Sequence, residues 1–158
     1  SWPGGLYLTE LEVDAFDRMN ASWAYWSFDP GTTEGSGWTP FYRTGDPAAP
    51  LADNPNADVL VRVYPLATAG YLRSFEWNRS TRVFTLRFDT IEGVTGVVPT
   101  EIFVPDERFY PDGFSVVFGE DDITATSSSF DDARNVVTAT VDVNRPTHLI
   151  SIVPHDAP

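Results

Sequence analysis

The chain has 158 residues, enough for one domain or for one domain with an appendage. Its 23 acidic residues outweigh 10 basic ones, all of them Arg, for a formal net charge of −13; this argues against a nucleic-acid or anionic-membrane partner, because phosphate binding needs positive charge. Cys is absent, which removes disulfides and thiolate metal sites, and no apolar run is long enough to cross a bilayer.

The chain opens Ser1-Trp2-Pro3-Gly4-Gly5 without Met, so a processed or truncated start is expected. Leu8, Leu11, Ala15, Phe16 and Met19 recur at near-helical spacing and predict a helix over 6–20, with Pro3-Gly4-Gly5 blocking any earlier start and Asn20 as its stop. Residues 22–28, SWAYWSF, are short, aromatic and closed by Asp29-Pro30-Gly31, the signature of a strand. One helix and one strand cannot enclose a core, so this opening needs outside elements to complete it. Residues 29–58 are rich in Gly, Pro, Thr, Asp and Asn around Trp38, Phe41 and Tyr42, and read as a long surface loop.

From about residue 60 the pattern changes to period-two strands separated by turns. Strands are predicted at 72–77 and 83–88 around the turn Asn78-Arg79-Ser80-Thr81, then at 101–104, 114–118, 123–127, 136–143 and 148–153. In 83–88, Phe84, Leu86 and Phe88 point one way, Thr85 and Arg87 the other. The fold class is therefore mainly β, an antiparallel β-sandwich over 59–158.

Few side chains look chemically equipped. His148 and His155 are the two histidines, His148 expected on the sandwich surface and His155 in solvent. Glu120-Asp121-Asp122 and Asp131-Asp132 match no calcium loop and read as solvated turns. Neither a cofactor nor a metal site is expected. Glu101 shares a strand face with Phe103, while Ile102 and Val104 take the other, which suits a salt bridge to an Arg. Asn20-Ala21-Ser22 and Asn78-Arg79-Ser80 fit the glycosylation acceptor pattern, the second being the accessible one.

The linked order of a helix, SWAYWSFDPG, an aromatic Gly-rich loop, RVYPLATAG (Arg62, Tyr64, Pro65 and Gly70), FTLRF, PTEIFVP and FYPDGFSV resembles the end of glycoside hydrolase family 5 enzymes of the endoglycoceramidase type. In that family a (β/α)8 barrel precedes a β-sandwich, and the parent enzymes are secreted or extracytoplasmic. The resemblance implies that residues 1–58 are the C-terminal remnant of the barrel with its rim loop, residues 7–20 being the seventh barrel helix and 22–28 the eighth strand. It implies that Trp26 stacks beneath the sugar at the cleavage point, with Tyr25 beside it and Trp38 over the groove near the aglycone. The substrate would be a glycan or glycolipid such as a glucosylceramide or steryl glucoside.

The family works by retention, which needs two Glu carboxyls about 5–5.5 Å apart across the glycosidic bond. The acid/base belongs to an upstream Asn-Glu pair, and this sequence contains no Asn-Glu. Glu10 is a low-ranking candidate for the nucleophile: no Gly follows it, and the stretch to Trp26 is too short for a loop and a full helix at about 1.5 Å per residue. The catalytic pair is therefore expected on a missing upstream portion, present as a second chain. Two other readings compete: a stand-alone carbohydrate- or lipid-surface-binding sandwich with Trp38, Tyr71 and Trp77 as its platform, and a small complete enzyme using Glu10 or Glu12.

Overall fold

A computed structural model describes residues 3–25, 40–42, 48, 50–53, 55–93, 98–119 and 127–155. The chain divides into two compact units, Ser1–Arg62 and Val63–Pro158.

In the first unit α1 spans Pro3–Arg18, one turn earlier than the sequence predicts. Pro is tolerated there because the first-turn N–H groups have no intrahelical acceptor to lose. The helix ends as predicted at Asn20, which takes the left-handed conformation (φ 51°). Ala21 N–H donates to Phe16 O at 2.9 Å and Asn20 N–H to Asp17 O at 3.0 Å, the paired bonds of a Schellman cap. The helix packs against α2, the short turn Ala57–Leu60, and Val13, Ala57 and Val59 are buried. Residues 21–25 form no strand ladder within this chain, and 26–28 of the expected strand lie outside the described residues. A strand is defined by a hydrogen-bonded neighbour, and no described strand of this chain pairs with 21–25. Within the stretch read as a loop, β1 (Phe41–Tyr42) and β2 (Ala52–Asp53) form a small antiparallel ribbon.

The second unit is the predicted antiparallel sandwich. One sheet has the order β4 (Gly70–Asn78), β5 (Val83–Thr90), β10 (Thr147–Pro154), β7 (Phe114–Phe118). The other has the order β3 (Tyr64–Ala67), β6 (Thr100–Phe103), β9 (Val136–Thr140), β8 (Ser127–Asp131). A short helix, α3 (Asp106–Phe109), precedes β7. The strand expected at 123–127 falls largely outside the described residues, and β3 was not read from the sequence.

Register explains the core. Across the first sheet, Trp77, Phe84, Ile152 and Val116 form one inward row, and Phe75, Leu86, Ile150 and Phe118 form the next. Phe84, Leu86, Ile150 and Ile152 are wholly buried, as are Ile102 and Val137 of the facing sheet. The β4–β5 pairing slips by one residue between Leu72 and Ser74. Without that bulge, strict alternation would turn Leu72 outward whenever Phe75 and Trp77 face in.

The same parity corrects one expectation. His148 is buried, only 3% exposed, because it is in phase with Ile150 and Ile152. Its ring lies 4.9 Å from that of Phe88, and its Nε2 lies 2.8 Å from Thr90 Oγ1. The Thr90 hydroxyl donates its one hydrogen to Arg145 O, so His148 Nε2–H must be the donor in their contact. The predicted turn after β4 also forms: Asn78 Oδ1 accepts from Ser80 N–H and Thr81 N–H, each at 3.0 Å.

Phe84→Ala is expected to destabilise the sandwich by about 3–5 kcal/mol, the transfer loss of a ring plus the cavity it leaves. Arg87→Ala, three residues along on the exposed side of β5, should stay within about 0.5 kcal/mol of the parent. Urea unfolding of the two variants checks both values.

Candidate functional site

Two faces of α1 carry opposite chemistry. Thr9, Val13 and Asp17, four residues apart, line the buried face. Leu8, Leu11 and Met19 lie on the other side at helical spacing and are 51%, 43% and 64% exposed. The periodicity that predicts the helix is thus the periodicity of its outward side.

On the buried face, Asp17 is held by Arg62. Arg62 Nη2 lies 2.7 Å from Asp17 Oδ2 and 3.1 Å from Asp14 Oδ1, with both Arg62 and Asp17 buried. Burial pushes the Asp17 carboxyl above the ordinary carboxylate range. The Arg62 cation opposes that rise, the Asp14 carboxylate adds to it, and a hydrogen bond from Trp23 opposes it. This is a paired, buried acid whose partner fixes the chain just before the sandwich begins.

Of the residues predicted to meet substrate, Trp26 and Trp38 lie outside the described residues. Tyr25 is half-buried beside α1: burial raises its hydroxyl pKa, a Thr9 hydrogen bond opposes this, and the Glu12 carboxylate adds to it. Glu10 sits in the middle of α1. Among the described residues, no three His, Cys, Asp or Glu side chains are grouped to hold a metal. No described helix is long and apolar enough to cross a membrane.

In the sandwich the motif residues have structural work. A Cβ on Gly70 would come within 2.0 Å of Asp89 O, so only Gly allows β4 to close on β5 there. Tyr64 stacks on Phe103 with ring centroids 5.2 Å apart. Glu101 Oε1 lies 3.7 Å from Arg134 Nη2, the Arg partner expected for it, while Ile102 and Val104 are buried on the opposite side. Tyr110 donates to Arg82 O at 2.8 Å; burial drives its hydroxyl pKa far up against the opposing Arg82 cation. Gly113 takes φ +90°, and a Cβ there would meet His155 Nδ1 at 2.7 Å. His155 is exposed, as expected, and its Nδ1 lies 3.0 Å from Asp112 O. Trp77 is only 6% exposed, packed against Phe109 and Tyr110, so it offers no surface for a ligand.

Residues 62–153 match the family described as the glycoside hydrolase family 5 C-terminal domain, a stretch covering more than half of the chain. The chain belongs to this family. Among solved structures, endo-glycoceramidase II from Rhodococcus sp. in complex with a five-membered iminocyclitol shares the fold, with a TM-score of 0.74 and 21% identity over 98% of this chain and 30% of that one. The ganglioside GM3 complex of that enzyme gives a TM-score of 0.72 and 21% identity, covering 96% of this chain and 29% of that one. Sterylglucosidase 1 of Cryptococcus neoformans gives 0.72 at 14% identity, covering 99% of this chain and 25% of that one. The chain thus spans at most 30% of the length of these proteins. No curated protein matches it. The family match begins at Arg62, the residue that neutralises Asp17 and Asp14.

Arg62→Met is expected to cost about 3–5 kcal/mol at neutral pH, because it leaves Asp17 buried and unpaired. Asp17 already binds its proton more tightly in the folded state than in the unfolded chain. Its contribution is therefore fullest below the unfolded carboxylate's pKa and is lost as pH rises through the raised folded value. Removing Arg62 raises the folded value further, so the penalty should grow with pH across that window and be small in acid. Amide hydrogen exchange of α1 in both proteins at acid and neutral pH reads this difference.

Proposed function

We propose that the chain is the C-terminal part of a retaining β-glycosidase acting on glycolipids, with its two catalytic Glu residues on an upstream (β/α)8 barrel. The observation that carries this reading is the outward apolar side of α1. Leu8, Leu11 and Met19 are left in solvent on a helix whose other side is already packed, as a barrel helix would be without its barrel. Membership of the family 5 C-terminal domain supports the reading. So does the common fold with endo-glycoceramidase II and sterylglucosidase 1, of which the chain spans 30% and 25%.

On this reading α1 and residues 22–28 are the last helix and strand of the barrel, and the occupant of the α1 stripe is the catalytic portion of the same protein, as a separate associated chain. Trp26 provides the flat floor on which the C–H face of the sugar stacks, Tyr25 stands beside it, and Trp38 lies over the aglycone. The substrate joins a sugar to a ceramide or sterol, and the setting is secreted or extracytoplasmic. The acid/base and nucleophile belong to the upstream portion; Glu10 has no part in the chemistry.

The experiment is co-expression of the chain with the product of the upstream reading frame. The assembled protein should release sugar from a glucosylceramide or a steryl glucoside, and the chain alone should not. Leu11→Asp on the outward side of α1 should reduce recovery of the assembly by about tenfold, as expected for a loss of about 1.4 kcal/mol in association. In the assembly, Trp26→Ala should lower kcat/KM without lowering the melting temperature. Hydrolysis of an aryl β-glucoside by the chain alone, abolished by Glu10→Gln, would overturn the proposal.

A further inference from the structure

An open groove of about 640 Å³ lies at one end of the β4–β5–β10–β7 sheet, where β5 runs out into residues 91–93 and the 142–146 turn leads into β10. Tyr71 stands on its wall, 60% exposed, directly across the β4–β5 pairing from Asp89. The β4 bulge follows at once. It inserts Arg73, whose Nε and Nη2 both lie 2.5 Å from Asp89 Oδ2. Keeping Leu72 and Phe75 on the core side thus also places a guanidinium and a carboxylate together beside an exposed aromatic ring.

The opposite wall is built in advance. Asn144 is tied to Asp142 Oδ1 by its backbone N–H at 3.0 Å and its Nδ2 at 2.8 Å. Thr90 N–H donates to Pro146 O at 3.0 Å and its hydroxyl donates to Arg145 O, which pins the turn to the end of β5. Walls already held by such bonds lose little further freedom on meeting a ligand.

The chemistry favours one occupant. A pyranose presents a C–H face that stacks on an aromatic ring, and hydroxyls that both donate and accept. Tyr71 offers the ring, Arg73 the donors, Asp89 the acceptor and Asn144 both. The lining sets Asp89 and Glu92 against Arg73 and Arg145, so it carries no net positive charge, and on a chain of net charge −13 a phosphate or an acidic lipid headgroup is disfavoured. A buried lipid tail would need a wide, continuous apolar surface, whereas Ile91, Val143 and Pro146 share this lining with charged and amide side chains. We infer that this groove is a binding site for an uncharged pyranosyl oligosaccharide, with Tyr71 as its stacking platform and the Arg73–Asp89 pair and Asn144 as its polar contacts. The inference stands apart from the glycosidase reading, since it needs no hydrolysis.

Titration of the isotopically labelled 158-residue chain with cellotetraose, followed by amide NMR, tests it. Saturable shifts are expected at Tyr71, Arg73 and Asn144. Tyr71→Ala should weaken binding about tenfold or more while Tyr71→Phe stays within about twofold, because the ring face and not the hydroxyl carries the contact. The melting temperature should be unchanged in both, since the side chain is exposed. If Tyr71→Ala fails to fold, Arg73→Met replaces it and should also weaken binding. No saturable shift with cellotetraose, binding undiminished in Tyr71→Ala and in Arg73→Met, or binding confined to phosphatidylserine vesicles would each overturn the inference. Loss of hydrolysis in the assembled protein would leave it intact.

Discussion

Cross-strand register is the constraint on which the sandwich depends. Phe84, Leu86 and Phe88 on β5 stand opposite Ile152, Ile150 and His148 on β10, so a slip of one residue would move the three inward side chains of one strand from the core into water. The strand on the other side of β5 has to match this phase, and its sequence does not do so by simple alternation. The bulge at Arg73 solves the conflict by adding one residue, which lets Leu72 oppose Phe88 and still leaves Phe75 opposite Leu86. The extra residue must go outward, and it goes to Asp89. A demand of the core therefore determines what lies on the surface at that corner.

The motifs that make the family visible are read by the structure mostly as scaffold. Gly70 is set by the approach of Asp89 O, and Gly113 by a left-handed turn against His155. Tyr110 is set by a carbonyl that its hydroxyl caps, Glu101 by an Arg of the β8–β9 turn, and FTLRF by the inward row of β5. None of these residues needs a substrate to explain it. A sandwich whose signature is spent on packing can support an enzyme without taking part in its chemistry, which accords with a sequence that lacks the expected acid/base motif.

Much of the sandwich is legible in the sequence because period-two alternation is a local signal. The inward set of β5, the turn at Asn78 and the two faces of 101–104 follow from it directly. The burial of His148 was available from the same parity, since it alternates with Ile150 and Ile152, but the polar side chain suggested the surface. What could not be read is what depends on partners distant in sequence. The bulge exists only relative to β5, and the ion pair of Arg62 joins residues 45 and 48 positions apart. The groove beside Tyr71 needs the 142–146 turn to fold onto the end of β5. Of the predicted contact residues, Tyr25 is placed beside Thr9 and Glu12 of α1, whereas Trp26 and Trp38 fall outside the described residues.

The two sides of α1 give the first unit its direction. Among its described residues the first unit buries few apolar side chains, so there is little reason to turn Asp17 inward and Leu8, Leu11 and Met19 outward, since reversing the helix would bury three apolar side chains and release a carboxylate to water. Arg62 makes the observed orientation tolerable by neutralising Asp17, and Asn20 ends the helix at the point where the chain turns back toward Thr9 and Tyr25. Yet tolerable is not the same as favoured. A buried ion pair roughly offsets its own desolvation, so it cannot by itself repay three exposed apolar side chains. An apolar cover over the stripe would make the observed orientation the favourable one, because it would remove those three side chains from water without disturbing the Asp17–Arg62 pair.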